Sequence, residues 1–301
     1  MQQVITELLN GSYGDVRLNE PLAPYTTWKI GGPADVLLIP HDIKQLVSAV
    51  RLLHQHETPW TALGRGSNLL VSDKGIRGVA IKLGDALETV RFEGEYVYVG
   101  GAYSFIKLSV MAGKEGLTGL EFAGGIPGTV GGAVYMNAGA HGADVSRILQ
   151  RVEVLLPTGE LVTLQKDDLA YAYRHSILHT KPGIVTEAVF KLSYGDRKEI
   201  AAAMAAYKDR RLRTQPLQLA CAGSVFRNPE GHHAAKLIEE AGLKGLRVGD
   251  AEVSPLHANF IVNTGQATAH DVLTLIEQVQ NAVSERFGIR LVTEVLVVGE
   301  R

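Results

Sequence analysis

The chain contains very little cysteine and almost no net charge. Its 301 residues include a single cysteine, Cys221, so no disulfide forms within the chain, and one thiol fits a reducing compartment. The formal net charge is −2, and no basic run reaches five residues, which argues against a nucleic-acid partner or an anionic membrane. No apolar run is long enough to cross a bilayer, and the N-terminus lacks a signal-peptide pattern. We therefore expect a cytoplasmic protein.

Metal-binding patterns are also missing. The chain has ten histidines. His175 and His179 are four residues apart, but they lack the glutamate of a His-Glu-x-x-His site. His232 and His233 are adjacent and cannot point at one ion from a regular element. We therefore expect no metal site.

Glycine, by contrast, is concentrated in one segment. Residues 119–142 hold eight glycines in 24 positions, with Glu121 as the only carboxylate and no lysine or arginine. Glycine weakens helices and strands, so such a cluster indicates backbone that adopts positive φ or approaches a ligand closely. Main-chain N–H groups bind phosphate without side-chain cations. The segment predicts a site for a phosphate-bearing cofactor.

A second glycine loop, residues 64–69, follows an apolar run at 60–63. Its sequence, Gly-Arg-Gly-Ser-Asn-Leu, offers main-chain, hydroxyl and amide donors for an anion. The loop is not a Rossmann fingerprint, because Leu69 stands where the third glycine would be. Either loop alone could be an ordinary tight turn. Two such loops in one chain favour a cofactor site.

The hydrophobic pattern predicts helices and strands mixed along the whole chain. Helices are expected over residues 42–57, 104–115, 197–212, 234–241 and 268–287. Strands are expected over residues 60–63, 69–72, 79–83, 88–92, 96–99, 151–156, 160–164, 184–192, 259–262 and 290–298. The polar stretch 213–218 follows an alanine-rich helix and predicts a domain boundary at that point.

Three polar residues are candidates for chemistry. Arg174 lies between aromatic neighbours and could bind a carboxylate or phosphate with two hydrogen bonds, or simply stack at the surface. Ser224 follows small residues and could donate a proton or cap a turn, and Cys221 nearby is an alternative reactive group. Glu294 lies in an apolar strand, where a carboxylate is either functional or on a solvated edge.

Together these segments resemble the UDP-N-acetylenolpyruvoylglucosamine reductases, which are flavoenzymes of bacterial peptidoglycan precursor synthesis. Several ordered motifs in one chain are far more specific than any one of them. The resemblance rests on residues 25–35, 63–70, 124–132, 136–140, 173–176 and 222–229 and on Glu294. The chain resembles the branch of the family that lacks an extra loop over the nucleotide.

The resemblance implies an α+β fold. A two-part FAD-binding module of the vanillyl-alcohol-oxidase type would be followed by a C-terminal α+β substrate-binding domain. The expected parts are residues 1–82 and 83–212 for the module and 213–294 for the substrate domain, with a tail of about 295–301 packing on the first part. FAD would be held without a covalent bond. The residues implied to hold FAD are Gly64, Arg65, Gly66, Ser67, Asn68, Leu69, Gly124, Gly128, Thr129, Gly132, Asn137, Ala138 and Gly139.

The resemblance also implies the reaction. NADPH would reduce the flavin, and flavin N5 would then deliver a hydride to the methylene carbon of UDP-N-acetylglucosamine enolpyruvate, giving UDP-N-acetylmuramate. Arg174 would hold the substrate carboxylate, Glu294 would help to stabilise the enolic intermediate and Ser224 would supply the proton. Further substrate contacts are implied for Tyr173, Asn228 and Lys236.

Two other functions remain open from the residues alone. Another FAD-dependent oxidase or dehydrogenase of the same fold, acting on an alcohol or a sugar, would keep the glycine loops but give Ser224 and Glu294 no fixed role. A non-catalytic nucleotide-binding protein would keep only the loops. The preference for NADPH over NADH and the oligomeric state are not indicated by the sequence.

Overall fold

A computed structural model describes residues 1–84 and 87–300. The helices of this described part are α1 (Gln2–Asn10), α2 (Ile43–Gln55), α3 (Phe105–Glu115), α4 (Val130–Met136), α5 (Arg197–Thr214), α6 (Ala234–Glu240) and α7 (Ala269–Phe287). The strands are β1 (Asp15–Pro21), β2 (Pro33–Ile39), β3 (Trp60–Leu63), β4 (Leu69–Val71), β5 (Ile76–Lys82), β6 (Val90–Glu93), β7 (Tyr96–Gly100), β8 (Leu117–Thr118), β9 (Gly139–Ala140), β10 (Ala143–Asp144), β11 (Leu149–Leu155), β12 (Leu161–Gln165), β13 (Ile184–Lys191), β14 (Ser193–Tyr194), β15 (Ala220–Cys221), β16 (Arg247–Val248), β17 (Ala251–Val253), β18 (Ile261–Asn263) and β19 (Leu296–Val298). Among the described residues, no helix has both the length and the hydrophobicity that crossing a membrane requires.

Most predicted elements are confirmed to within a few residues, but the last strand is not. A strand was expected over residues 290–298, and only Leu296–Val298 forms one. The preceding residues pair through an isolated bridge between Thr293 and Phe226. Their partner is a short irregular segment rather than a neighbouring strand, so no continuous ladder forms.

The described residues form two compact units. The described residues of ranges 1–18, 36–64 and 78–209 form the first unit, and those of ranges 19–35, 65–77 and 210–300 form the second. The chain therefore enters each unit three times. The three-part division expected from the sequence stays a proposal.

The first unit is built on a five-stranded antiparallel sheet. Its strand order is β12-β11-β13-β7-β6. α3 and α4 pack on this sheet through fully buried side chains such as Phe105 and Val134, which belong to the same buried core as Phe190 of β13. α3 begins at Ser104, whose hydroxyl accepts from Lys107 N, and it ends at Gly116, which has φ +75. The serine cap at the start and the left-handed glycine at the end bound this helix, as the sequence predicted.

A second sheet, of order β1-β2-β5-β3, contributes to the first unit. Within it, β3 and β5 are parallel, with Trp60 opposite Val79. α1 and α2 bury one apolar face each on a common core that includes Leu8, Leu46 and Ile81. Asp42 caps α2, because its carboxylate accepts from Gln45 N at 2.7 Å.

The second unit has its own sheet and core. The strand order is β15-β18-β17-β16, and all pairs are antiparallel. α7 lies against this sheet and begins with a reciprocal capping box formed by Thr268 and Asp271. Trp28 is fully buried and donates from Nε1 to Ile261 O at 2.9 Å. β19 pairs in parallel with β4, so the last strand of the chain lies beside residues 69–71.

Candidate active site

Residues 65–69 of the shorter glycine loop are held tightly in the second unit. Gly66 has φ +62, and a Cβ there would lie 2.5 Å from Tyr25 O and 2.7 Å from Thr26 Cα. Thr27 N also donates to Gly66 O at 3.3 Å. Only glycine fits, because the backbone is left-handed and another main chain passes directly beside it.

Gly66→Ala is expected to lower the free energy of unfolding. A non-glycine residue in the left-handed region costs about 1–3 kcal/mol, and overlap with fixed backbone adds about 1–3 kcal/mol. Gly231 is a matched control, since it has φ +71 but nothing within 4 Å of a Cβ. Denaturant unfolding of Gly66→Ala and Gly231→Ala separates the two costs. If both variants lost the same free energy of unfolding, the close main-chain neighbours of Gly66 would add no cost to the substitution.

The other end of this loop contacts Glu294. Asn68 Nδ2 donates to Glu294 O at 3.2 Å, and Leu296 N donates to Asn68 O at 3.0 Å. Leu69 then begins β4 beside β19. The second unit therefore brings residues 66–69 of the predicted cofactor loop next to the predicted catalytic glutamate.

In the first unit, four residues of the predicted cofactor set come together at the start of α4. Gly128 has φ +130, and its carbonyl accepts from Phe105 N at 3.2 Å. Thr129 caps the helix, with its hydroxyl accepting from Gly132 N at 3.2 Å. A Cβ on Gly64 would lie 3.0 Å from that hydroxyl oxygen. The two glycine loops therefore meet in this unit at Gly64 and Thr129.

Gly124 lies in a 3-10 turn, Glu121–Gly125, a few residues upstream of these. A Cβ on Gly124 would lie 3.3 Å from Ser109 Oγ and 3.5 Å from Met204 Cε. It is therefore packed between side chains of α3 and α5. This contact gives Gly124 a packing role that the sequence did not indicate.

Asn137 ends α4 with φ +44 and is 3% exposed. Its Oδ1 accepts from Ser146 N at 2.9 Å, and its Nδ2 donates to Ala172 O at 3.0 Å. The side chain thus links the glycine segment to the segment that carries Arg174. Both of its polar atoms make hydrogen bonds inside the protein. The carbonyl of the next residue, Ala138, accepts from Val145 N at 3.0 Å.

Arg174 lies at the tip of a tight hairpin with φ +54. Ala172 and His175 form the closing pair, with both main-chain hydrogen bonds at 3.1 Å. Arg174 Nη2 donates to Gly139 O at 2.6 Å, and the guanidinium lies 5.0 Å from the ring centroid of Tyr173. The first unit therefore places Arg174 and Tyr173 beside Gly139, the last residue of the predicted cofactor set.

Ser224 follows a glycine in the second unit. Gly223 has φ +73, and a Cβ there would have no other part of the protein within 4 Å. The next residue after the serine, Val225, accepts from Glu294 N at 2.7 Å through its carbonyl. The unit therefore holds Ser224 and Glu294 on directly hydrogen-bonded segments, 70 positions apart in the chain by their numbers.

The two other predicted substrate residues have clear local partners. Asn228 Oδ1 accepts from Ala234 N at 3.0 Å at the start of α6. Lys236 lies on α6, mostly exposed, with Nζ 3.7 Å from Glu240 Oε1. An exposed pair of this kind contributes little to stability.

The alternative reactive group, Cys221, is not activated by its surroundings. Burial raises the pKa of the Cys221 thiol, and a hydrogen bond from Gly223 and the charge of Arg211 only partly oppose this. A raised pKa leaves the thiol protonated and weakly nucleophilic at neutral pH. Among the described residues, no group of three potential ligands from His, Cys, Asp and Glu could hold a metal ion.

A cavity of about 610 Å³ lies elsewhere in the first unit. It is lined by residues 53–60 together with Pro157 and Pro182. None of the residues predicted for catalysis or binding lines it.

Two buried polar residues, Ser176 and Asn259, were given no individual role by the sequence. Ser176 is fully buried, and its hydroxyl donates to Tyr135 O at 2.7 Å. Asn259 is 4% exposed and contacts the segment after Ser224. The available signal for Asn259 was a single amide in an otherwise apolar run, which is costly to bury without partners.

We expect the stability of the protein to depend on pH because of His257, a partly buried histidine two residues before Asn259. Burial lowers the pKa of His257 below its ordinary value of 6.5, with Lys244 adding to the effect and Glu239 opposing it. The unfolded chain therefore binds the proton more readily than the folded chain. The free energy of unfolding is expected to be largest above about pH 6.5 and to fall as the pH drops from there towards the lower folded pKa. Urea unfolding across this range tests it, and His257→Asn should flatten the dependence; an unchanged slope in that variant would contradict the assignment.

Two family models match the chain. One, described as FAD binding domain, matches residues 34–165, and the other, described as UDP-N-acetylenolpyruvoylglucosamine reductase, C-terminal domain, matches residues 215–298. Together with the mixed helices and strands, they confirm the expected α+β class with a FAD-binding module followed by a C-terminal domain.

The chain is also similar to known proteins along its whole length. It is 52% identical over 302 residues to the UDP-N-acetylenolpyruvoylglucosamine reductase of Bacillus licheniformis, covering 100% of both chains. The crystal structure of the reductase from Thermus caldophilus matches with a TM-score of 0.81 and 39% identity, over 94% of this chain and 98% of that one. Berberine bridge enzyme from Eschscholzia californica shares the fold alone, with a TM-score of 0.50 and 13% identity over 64% of this chain and 44% of its own. The chain belongs to the UDP-N-acetylenolpyruvoylglucosamine reductase family.

Proposed function

We propose that this protein reduces UDP-N-acetylglucosamine enolpyruvate to UDP-N-acetylmuramate in peptidoglycan precursor synthesis, with FAD as cofactor and NADPH as hydride donor. The observation that carries the proposal is 52% identity over the full length of the Bacillus licheniformis reductase. The substrate is thus a small UDP-sugar. We also propose a cytoplasmic location, because a single cysteine without a disulfide partner in the chain fits a reducing compartment.

The glycine loops fit a non-covalently bound FAD. A diphosphate that is bound by main-chain N–H groups requires backbone without side chains in the way. Gly66 and Gly128 have positive φ, and Gly64 lies against the capping hydroxyl of Thr129. The remaining loop residues that we assign to FAD are Arg65, Ser67, Asn68, Leu69, Gly124, Gly132, Asn137, Ala138 and Gly139. When bound, FAD supplies hydride transfer between NADPH and the substrate.

Arg174 is proposed to bind the carboxylate of the enolpyruvyl group. When a hydride reaches the methylene carbon, the electron pair of the double bond moves towards the adjacent carbon and its carboxylate. A guanidinium forms two parallel hydrogen bonds with a carboxylate, so it stabilises charge at the place where charge develops. The hydrogen bond to Gly139 O restrains the side chain before substrate binds.

Ser224 is proposed to donate its hydroxyl proton to the carbon next to that carboxylate, which completes the lactyl ether. Glu294 is proposed to help stabilise the enolic intermediate. The main-chain hydrogen bond between Glu294 N and Val225 O keeps the two residues in fixed register. Tyr173, Asn228 and Lys236 are proposed substrate contacts. For the domains, we retain residues 1–82 and 83–212 as the FAD-binding parts and 213–294 as the substrate domain.

Isotope labelling tests this function directly. In deuterated water, with excess NADPH and the enolpyruvyl substrate under anaerobic conditions, the product is expected to gain one hydrogen at its new methyl group, which is solvent deuterium wherever the N–H of the reduced flavin exchanges with water before transfer. It is also expected to gain one solvent deuterium at the adjacent carbon. Oxidation of NADPH with formation of hydrogen peroxide in air, and without reduced sugar nucleotide, would instead support an oxidase of the same fold.

A further inference from the structure

We infer that Asn259 is a positioning residue for proton delivery by Ser224. This inference rests on the proposed function. Asn259 does not need to touch substrate or cofactor in this role. It fixes the main chain of the two residues that follow Ser224, and through them the position of the serine hydroxyl.

The side-chain amide of Asn259 binds the main-chain N–H and C=O of one residue, Phe226, with both of its polar atoms. Oδ1 accepts from Phe226 N at 2.9 Å, and Nδ2 donates to Phe226 O at 2.8 Å. The main-chain carbonyl of Asn259 accepts from Val225 N at 2.9 Å. The amide offers a neutral donor and a neutral acceptor on one planar fork, a pairing that an ionised carboxylate, which only accepts, cannot reproduce.

The segment 225–227 is also hydrogen-bonded to residues 292–294, which lie just before β19. Val225 O accepts from Glu294 N at 2.7 Å, and Arg227 N donates to Val292 O at 2.9 Å. Residues 225–227 therefore lie between Asn259 on one side and residues 292–294 on the other. Without the side-chain hydrogen bonds of Asn259, we expect the main chain after Ser224 to shift and to move the Ser224 hydroxyl relative to Glu294.

Asn259 is itself held by a self-bonded loop. Asn259 N donates to His257 Nδ1 at 3.2 Å, and Ser254 Oγ accepts from His257 N at 3.3 Å. Phe260 O accepts from Ser254 N at 2.8 Å, and the rings of His257 and Phe260 meet edge to face. These internal hydrogen bonds hold the loop, and the loop holds the Asn259 amide against Phe226, as a positioning role requires.

Asn259→Asp tests the inference, because it keeps one acceptor but places a second carboxylate oxygen against Phe226 O. We expect NADPH to reduce the flavin of this variant at close to the normal rate. Reoxidation by the enolpyruvyl substrate is expected to slow by about 10²-fold, as for a misplacement of the reacting group by about 1 Å. A larger solvent deuterium isotope effect on that step is also expected, because proton transfer becomes limiting.

Asn263→Asp is the matched control. Asn263 is also buried in the second unit, and its side-chain amide makes three hydrogen bonds, to Trp28 O and from the N–H groups of Gly265 and Ala267. The Asn263 side chain makes none of these hydrogen bonds to residues 224–227. Its variant is expected to lose stability but to keep the normal reoxidation rate and isotope effect below its melting temperature.

The outcomes separate cleanly. Normal reoxidation in folded Asn259→Asp, or an equal slowing in Asn263→Asp, would overturn the positioning role. If Asn259→Asp does not fold, Asn259→Ser is measured by the same criteria, since its hydroxyl can keep one of the two side-chain hydrogen bonds. If the unmodified protein is not reoxidised by the enolpyruvyl substrate, the proposed function fails instead.

Discussion

Ser224→Ala is expected to abolish most of the second half-reaction while leaving the first intact. NADPH should reduce the bound flavin at a rate within a few-fold of normal, because hydride transfer to FAD needs no proton from Ser224. Reoxidation by the enolpyruvyl substrate should slow by about 10²–10⁴-fold, the usual contribution of a general acid. Anaerobic stopped-flow absorbance of the flavin measures both steps separately.

Ser284→Ala provides the control for this variant. Ser284 is an exposed residue on α7, and only its main-chain carbonyl has a described role, in accepting from Gly288 N. Its replacement should change neither half-reaction. If Ser224→Ala is reoxidised as fast as the unmodified protein, Ser224 is not the proton donor.

Arg174→Lys is expected to have the second large effect. Lysine keeps the positive charge but loses the planar fork, so it cannot form the two parallel hydrogen bonds with a carboxylate. The rate of reoxidation by the enolpyruvyl substrate should fall by about 10²–10³-fold, as for the loss of one group that stabilises developing charge. Stopped-flow measurements over a range of substrate concentrations give the rate and the affinity separately.

Arg91→Lys is a fair comparison for this change. Arg91 lies in the same unit and also stacks on a tyrosine, with its guanidinium 4.1 Å from the ring centroid of Tyr98. The replacement tests whether losing an arginine-tyrosine stack matters in itself. A similar loss of activity in Arg91→Lys, or none in Arg174→Lys, would contradict the role of Arg174.

Local signals made several helix boundaries predictable from the sequence. Ser104 and Gly116 bound α3, and Thr268 and Gly288 bound α7, because hydroxyl caps and left-handed glycines act through neighbours within one turn. The need for glycine at Gly66 was also visible, although its close neighbours Tyr25 and Thr26 were not.

Contacts between distant segments were not predictable in the same way. The last strand is short because residues 292–294 bond to the irregular segment 225–227, and neither partner has a pattern that marks the other. Asn137 donates to a carbonyl 35 positions away, and Asn259 bonds to a residue 33 positions away. One sequence without an alignment carries no record of such pairs. Arg174, Ser224 and Glu294 stood out as candidates from their sequence context, but their specific roles came only from the family resemblance.

The central claim is that a bound flavin carries reducing equivalents from NADPH to the enolpyruvyl sugar nucleotide. An anaerobic titration that follows flavin absorbance tests it most directly. NADPH is expected to bleach the flavin with one equivalent, and the subsequent addition of UDP-N-acetylglucosamine enolpyruvate should restore the colour with one equivalent and without oxygen. Flavin that stays bleached until air is admitted would contradict the account.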